Sequence, residues 1–292
     1  MADTPETPAS GQAIGPKILL EGPSGTGKTY SIGTAIEWAE ARKIPCFVLF
    51  TENGLETLLG YWADRGKPIP PNLAWAQTLT RPIGLNSLIT AADAVGNYPF
   101  EMITKITDST RGQNNAYKKI LQTCAKLTDE RTGQSFGPLE QQPPEFIFVI
   151  DSLTELANAA MKMTIGNKPT ASPNEYGMAQ NNLMNFLRLI TQGCACTFIM
   201  TAHIDRLNDE ITGLSKIMTK AIGKAIAGDI PPLFSDVILT VREGTQWTWD
   251  TANAMTDLKT RNLPIAAKLV PNFSTILDKW ASRMAAKSKS GA

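Results

Sequence analysis

Eight consecutive residues near the start of the chain, Gly22-Pro-Ser-Gly-Thr-Gly-Lys-Thr29, follow the pattern G-x-x-x-x-G-K-[ST]. Residue types in this order suit one task, which is to hold a run of phosphate groups. Gly22, Gly25 and Gly27 permit backbone turns that aim successive N–H groups at an anion. Pro23, Ser24 and Thr26 fill the loop between them. Lys28 has the reach to meet the outer two phosphates, and the Thr29 hydroxyl is a hard oxygen of the kind that ligates Mg²⁺. A phosphate loop of this kind sits between a strand and a helix. Lys17–Glu21 (KILLE) reads as the strand and residues 28–42 as the helix, whose N-terminus adds partial positive charge.

A second, carboxylate ligand for the metal is expected from Phe146-Ile-Phe-Val-Ile-Asp151, five apolar residues with Asp at the carboxyl end of a buried strand. The alternative use of Asp151 is to cap the helix that Ser152-Leu-Thr-Glu155 begins, but the phosphate loop upstream favours the metal role. Because Ser152 and not Glu follows Asp151, a water-activating carboxylate must come from elsewhere. Glu52 closes the apolar run 45–51 (PCFVLFT) and opens a helical pattern over residues 52–62. On a strand beside the phosphate-loop strand, it would orient and deprotonate water attacking the γ-phosphate. The same position also suits a first-turn acid favoured by the helix dipole. ATP with Mg²⁺ is the expected ligand pair, making this a Mg²⁺-dependent ATPase. Asn167-Lys-Pro-Thr170 is not the N-K-x-D sequence of Ras-type GTPases, and no arginine-rich lid of a small-molecule kinase is evident.

These features together resemble the RecA-like ATPases. The matching stretches are GPSGTGKT, VLFTE ending at Glu52, FIFVIDS ending at Ser152, and TFIMTAH ending at His203. The resemblance implies catalytic roles for Lys28 and Glu52. It also implies a sensor of the γ-phosphate at His203, where the family usually has Gln or Asn. Lys259-Thr-Arg261 fits the K-x-R finger that hexameric motors and the DnaB and KaiC groups insert into a neighbouring subunit's site. Such a finger is worth ~10³–10⁵ in rate; Lys220 and Lys224 are rivals for the role.

The resemblance spans roughly residues 17–262 and looks closest to phage nucleotide-binding proteins, some of them single-strand-annealing or recombination ATPases. It implies a homo-oligomer, ring or filament, acting on single-stranded DNA in the cytoplasm, that of the bacterial host if phage-encoded. In that family, nucleic acid is held by the loops after the Asp strand and the sensor strand, here residues 165–177 and 204–230. The second loop carries Arg206, Lys216, Lys220 and Lys224 against Asp205, Asp209, Glu210 and Asp229. Its lysine-bearing part, residues 215–227, contains no acid, which suits phosphate tracking. Aromatic residues for base stacking are sparse: Tyr176 in the first loop, and none in the second before Phe234. A ring-forming DNA motor (helicase or packaging ATPase) and a nucleotide-dependent scaffold with little turnover are the alternatives.

The elements that must position these residues alternate along the chain. Strand patterns at 45–51, 73–79, 146–150 and 197–201 are separated by helical patterns at 52–62, 85–95, 114–127 and 182–191. A hairpin is expected from residues 236–241 and Gln246–Asp250. This alternation predicts a mostly parallel, doubly wound α/β sheet flanked by helices, with a C-terminal β-hairpin extension. Residues 128–144, 165–177 and 204–232 carry Gly and Pro and read as loops. The domain division expected is a lead over 1–14, the ATPase domain over 15–280 and a basic tail over 281–292.

Composition sets the outer limits. In 292 residues, 42% are apolar and 19% charged, which excludes the disordered class. Lys plus Arg number 28 against 27 Asp plus Glu, so any polynucleotide partner must be held by a local patch. Residues 1–12 lack the basic and apolar regions of a secretion signal, and no apolar run reaches the ~18 residues of a membrane span. The four cysteines are scattered, and Cys194-x-Cys196 has no second pair to complete a zinc site, so reduced, buried thiols are expected.

Overall fold

A computed structural model of the chain describes residues 13–80, 84–103, 116–166, 168, 170–208 and 215–290. In chain order come β1 (Lys17–Glu21), α1 (Lys28–Glu40), β2 (Cys46–Phe50), α2 (Leu55–Ala63) and β3 (Leu73–Gln77). Helices α3 (Leu85–Asn97), α4 (Phe100–Ile103) and α5 (Ala116–Ala125) follow, then the short strands β4 (Leu127–Thr128) and β5 (Ser135–Gly137). Next are β6 (Ile147–Asp151), α6 (Leu153–Ile165), α7 (Pro173–Arg188) and β7 (Thr197–Ala202). The chain continues through β8 (Ile204–Asn208), β9 (Ser215–Thr219), β10 (Asp236–Glu243), β11 (Gln246–Asp250) and α8 (Ser274–Ser290).

Seven strands form the central sheet in the order β11-β10-β1-β7-β6-β2-β3. Every neighbouring pair is parallel except β10–β11. The apolar runs explain why: β1, β2, β6 and β7 are buried along their whole length, as strands covered on both faces must be. Alternation sorts their side chains into two layers. Phe47, Leu49, Phe148, Ile150, Phe198 and Met200 face α5, α6 and α7, where Tyr117, Ile120, Leu156 and Leu183 meet them. Ile18, Leu20, Val48, Phe50, Val149 and Ile199 face α1, α2 and α8, through Ile32, Ile36, Leu58 and Leu277. In register across β2, β6 and β7, Phe47, Phe148 and Phe198 stack at 6.3 and 5.9 Å, and Phe234 extends the row at 6.0 Å. Losing one such ring to Ala costs about 3–5 kcal/mol.

The stretches expected to be loops contain order that depends on tertiary pairing. Within 128–144, β5 pairs with β4. Within 165–177, α7 starts at Pro173, behind a capping box in which Ser172 and Glu175 satisfy each other's backbone N–H groups. Within 204–232, β8 and β9 make an antiparallel hairpin from Ile204↔Thr219 to Asn208↔Ser215. The C-terminal hairpin extends the sheet as expected: β10 pairs with β1 and β11 forms the edge. Residues 281–290, set apart above as a tail, continue α8. Residues 1–12 of the expected lead, Asn167, Asp209, Glu210 and residues 291–292 lie outside the described residues. All four cysteines are buried and unbridged. No helix among the described residues is long and apolar enough to cross a membrane.

Candidate active site

The phosphate loop leaves the carboxyl end of β1 and enters α1, as its pattern requires. Gly25 and Gly27 adopt φ of 75° and 79°, the left-handed region in which a side chain is strained. Gly22 is held for a different reason: a Cβ there would meet Thr240 Oγ1 at 2.1 Å. The Thr26 and Thr240 hydroxyls are hydrogen-bonded at 2.6 Å, so the loop is fastened to β10 as well as to β1.

Lys28 is 7% exposed, and its ammonium donates to the carbonyls of Gly22 (2.9 Å) and Pro23 (2.7 Å). Burial lowers its pKa, opposed by the negative charges of Asp151 and Glu52. Thr29 Oγ1 donates to Asp151 Oδ2 at 2.8 Å, joining the two expected metal ligands across 122 residues of sequence. The other oxygen of Asp151 accepts from Thr201 Oγ1 on β7. Asp151 is fully buried, and that burial pushes its carboxyl up to about 6, against the hydrogen bonds from Thr201 and Thr29. A hydroxyl and a desolvated carboxylate form an all-oxygen donor set of the type Mg²⁺ takes, its remaining positions going to water and phosphate. Among the described residues no cluster of three or more His, Cys, Asp or Glu suits a softer metal.

Glu52 lies two residues past β2, and its Oε2 is 3.5 Å from His203 Nε2, just beyond β7. Burial raises the Glu52 pKa, but His203 and Lys28 outweigh it and hold the carboxylate below its ordinary range. One expectation is corrected here. The strand of Glu52 does not adjoin β1, because β7 and β6 stand between them. Glu52 arrives all the same, because the carboxyl ends of β2 and β6 are level, with Phe50 opposite Asp151. Its backbone N–H donates to the Asp151 carbonyl at 3.3 Å.

The remaining expected residues lie apart from this group. Lys259 pairs with Val237, and the Arg261 N–H donates to Asp236 Oδ1 at 2.8 Å. Asp236 is opposite Ile18 at the start of β1, so both residues sit a strand length from the phosphate loop. They line a cavity of about 930 Å³ together with Arg283, Phe234 and Trp280. Arg206 and Lys216 lie on the β8–β9 hairpin. Lys216 is 2.9 Å from Asp257 and Lys220 is 4.0 Å from Asp205, so acids from outside the lysine-bearing stretch neutralise part of it. Lys224 is exposed beyond the hairpin.

Sequence reading missed Thr201, Thr240 and Glu21. Glu21 is buried and accepts from Thr219 Oγ1 (2.7 Å) and Thr256 Oγ1 (2.8 Å), joining the strand before the phosphate loop to the β8–β9 hairpin. Only the hydroxyls at the carboxyl ends of strands hinted at such partners.

The phosphate loop after β1, Asp151 at the end of β6 and Glu52 just past β2 thus meet at one edge of a mostly parallel sheet flanked by helices. No protein-family model matches the chain, and no curated protein does. Among solved structures it is similar to an ATPase from the type III secretion system of pathogenic bacteria, at 16% identity over 78% of this chain with a TM-score of 0.40. The chain spans about half, 53%, of that protein's length. It is also similar to a KaiC-like protein of the archaeon Pyrococcus horikoshii OT3, at 16% identity over 88% of this chain and 85% of that one, with a TM-score of 0.41.

Proposed function

We propose that this chain binds ATP with Mg²⁺ and hydrolyses it, as an oligomer acting on single-stranded DNA in recombination or annealing of the phage type. The observation that carries the ATPase reading is the convergence of Lys28, Thr29, Asp151, Glu52 and His203 from four segments, with Thr29–Asp151 at 2.8 Å and Glu52–His203 at 3.5 Å. The loop N–H groups and the α1 N-terminus hold the phosphates, and Lys28 offsets charge on the outer two. Thr29 and Asp151 would hold Mg²⁺, which would supply charge neutralisation at the phosphates when bound. Glu52 orients the attacking water and takes its proton, a role suited to a carboxylate kept ionised by its neighbours. His203 would donate to the γ-phosphate, and its contact with Glu52 would link the base to the start of the β8–β9 hairpin.

Lys259 and Arg261 reach a triphosphate only in another copy of the chain, which suits a finger acting in trans. Support for assembly comes from α3, which exposes Leu85, Leu88, Ile89 and Val95. Support for a polynucleotide partner comes from Arg206, Lys220 and Lys224 at and beyond the hairpin. The scaffold reading has one observation in its favour: His203 contacts Glu52 and holds its carboxylate below the ordinary range, which makes it a weaker base. ATP turnover measured with and without single-stranded DNA at low salt tests the proposal. Stimulated turnover that Glu52→Gln abolishes supports it; tight ATP binding without turnover favours the scaffold.

A further inference from the structure

The polar groups around Lys28 are distributed unevenly about β1. Asp151, Glu52 and His203 belong to β6, β2 and β7, all on one side of β1 in the sheet, whereas β10 and β11 occupy the other. A triphosphate whose γ-phosphate points toward Glu52 must run back across the loop. Its ribose and base therefore leave toward the β10–β11 hairpin.

That flank presents aromatic surface. Trp247 of β11 lies over the last glycine of the loop, where a Cβ on Gly27 would stand 2.8 Å from Trp247 Cδ2. Tyr30, the residue after Thr29, meets Trp247 edge-on at 5.3 Å and 61°. Tyr61 of α2 extends the row at 5.1 Å from Tyr30, and the Arg65 guanidinium lies 3.7 Å over the Tyr61 ring. Trp249, two residues on and on the same strand face, is 1% exposed, but Trp247 remains 39% exposed. Arg242 of the same hairpin has Nη1 3.9 Å from the place of a Cβ on Gly25, setting a cation beside the loop. An indole braced from behind and open in front is the surface that a flat heterocycle covers.

We propose that Trp247, braced by Tyr30, is the nucleobase-stacking platform of this site and selects purine over pyrimidine nucleotides by stacked area. The inference rests on the nucleotide reading above and names the part of the ligand that reading leaves open. Stacking is indifferent to the hydrogen-bonding edge of the base. ATP and GTP therefore bind alike, and a pyrimidine triphosphate, with less ring surface, binds less tightly.

Calorimetric titration of the full chain with ATP, UTP and inorganic tripolyphosphate in Mg²⁺ tests this. Trp247→Ala is expected to weaken ATP by about tenfold or more. Tripolyphosphate affinity stays unchanged, and the preference for ATP over UTP disappears. Trp247→Phe, the gentler variant, retains a stacking ring and ATP affinity but loses the tryptophan fluorescence change that ATP produces in the parent. The platform is overturned if Trp247→Ala weakens ATP and tripolyphosphate equally, if it weakens neither, or if the fluorescence change persists in Trp247→Phe. Lys28→Ala separates the two readings. If it leaves both ATP and tripolyphosphate affinity intact, the phosphate site itself fails, whatever Trp247 does.

Discussion

The two flanks of β1 are built in opposite ways. On the β7–β6–β2 side, functional groups stand at the ends of fully buried strands and are tied to one another: Thr201 and Thr29 to Asp151, His203 to Glu52. On the β10–β11 side, an edge hairpin leaves Arg242 exposed and Trp247 partly open to solvent. The first arrangement holds its charged and polar groups in place against one another, as bond making demands. The second offers area, as binding demands. Changes on the first flank should therefore alter hydrolysis and the metal it needs, and changes on the second the affinity for the base.

Glu52→Gln gives the sharpest form of that contrast. It should lower single-turnover hydrolysis by about 10²–10⁴ and leave ATP affinity near that of the parent. Equal loss of both would erase the distinction between the flanks. Thr201→Val comes next, because it removes a donor to Asp151 Oδ1 while leaving both expected metal ligands, Thr29 and Asp151, in the chain. A Mg²⁺ titration of ATP binding should show affinity for the metal reduced about 10–100-fold. The double change Arg206→Ala and Lys220→Ala lies outside both flanks and should leave ATP affinity alone. Binding of single-stranded DNA should become less salt-dependent, the slope of log K against log salt falling by about 1.4 for two lost phosphate contacts. An unchanged slope would remove the hairpin from the binding surface.

The smallest effect belongs to the cap of α7. Lys168 and the Ser172 N–H hold the Glu175 carboxyl down at about 2, its backbone bond to Ser172 contributing most. A folded pKa below the unfolded one gives stability that is complete above ~4.5 and lost as pH falls through about 2. Glu175→Gln should cost about 1 kcal/mol at neutral pH in a denaturant titration, with the difference from the parent vanishing near pH 2.

The two flanks also differed in how far the sequence revealed them. The phosphate loop and Asp151 were legible because their constraints are local: a glycine pattern, then an apolar run ending in Asp. Glu52 was legible as a residue but not in its surroundings, because strand order is set by packing and not by sequence neighbourhood. Trp247 and Thr240 were invisible as site residues. Their closeness to the loop is created when β10 pairs with β1, bringing Leu239 opposite Glu21 across 217 intervening positions. The β8–β9 hairpin was missed because IDRLN lacks a strong apolar alternation, and its ladder, not its composition, makes it a strand.

The four buried cysteines have a practical consequence. Burial raises the thiol pKa at every one, to about 12 at Cys194, so little thiolate exists at neutral pH and reagents have poor access. The folded chain is thus a quiet background for maleimide chemistry. A single cysteine placed at an exposed position of the β8–β9 hairpin would label alone, without first stripping the native thiols from the core. Slow reaction of the parent under native conditions, and full reaction of four thiols in denaturant, would show how tightly that core stays closed.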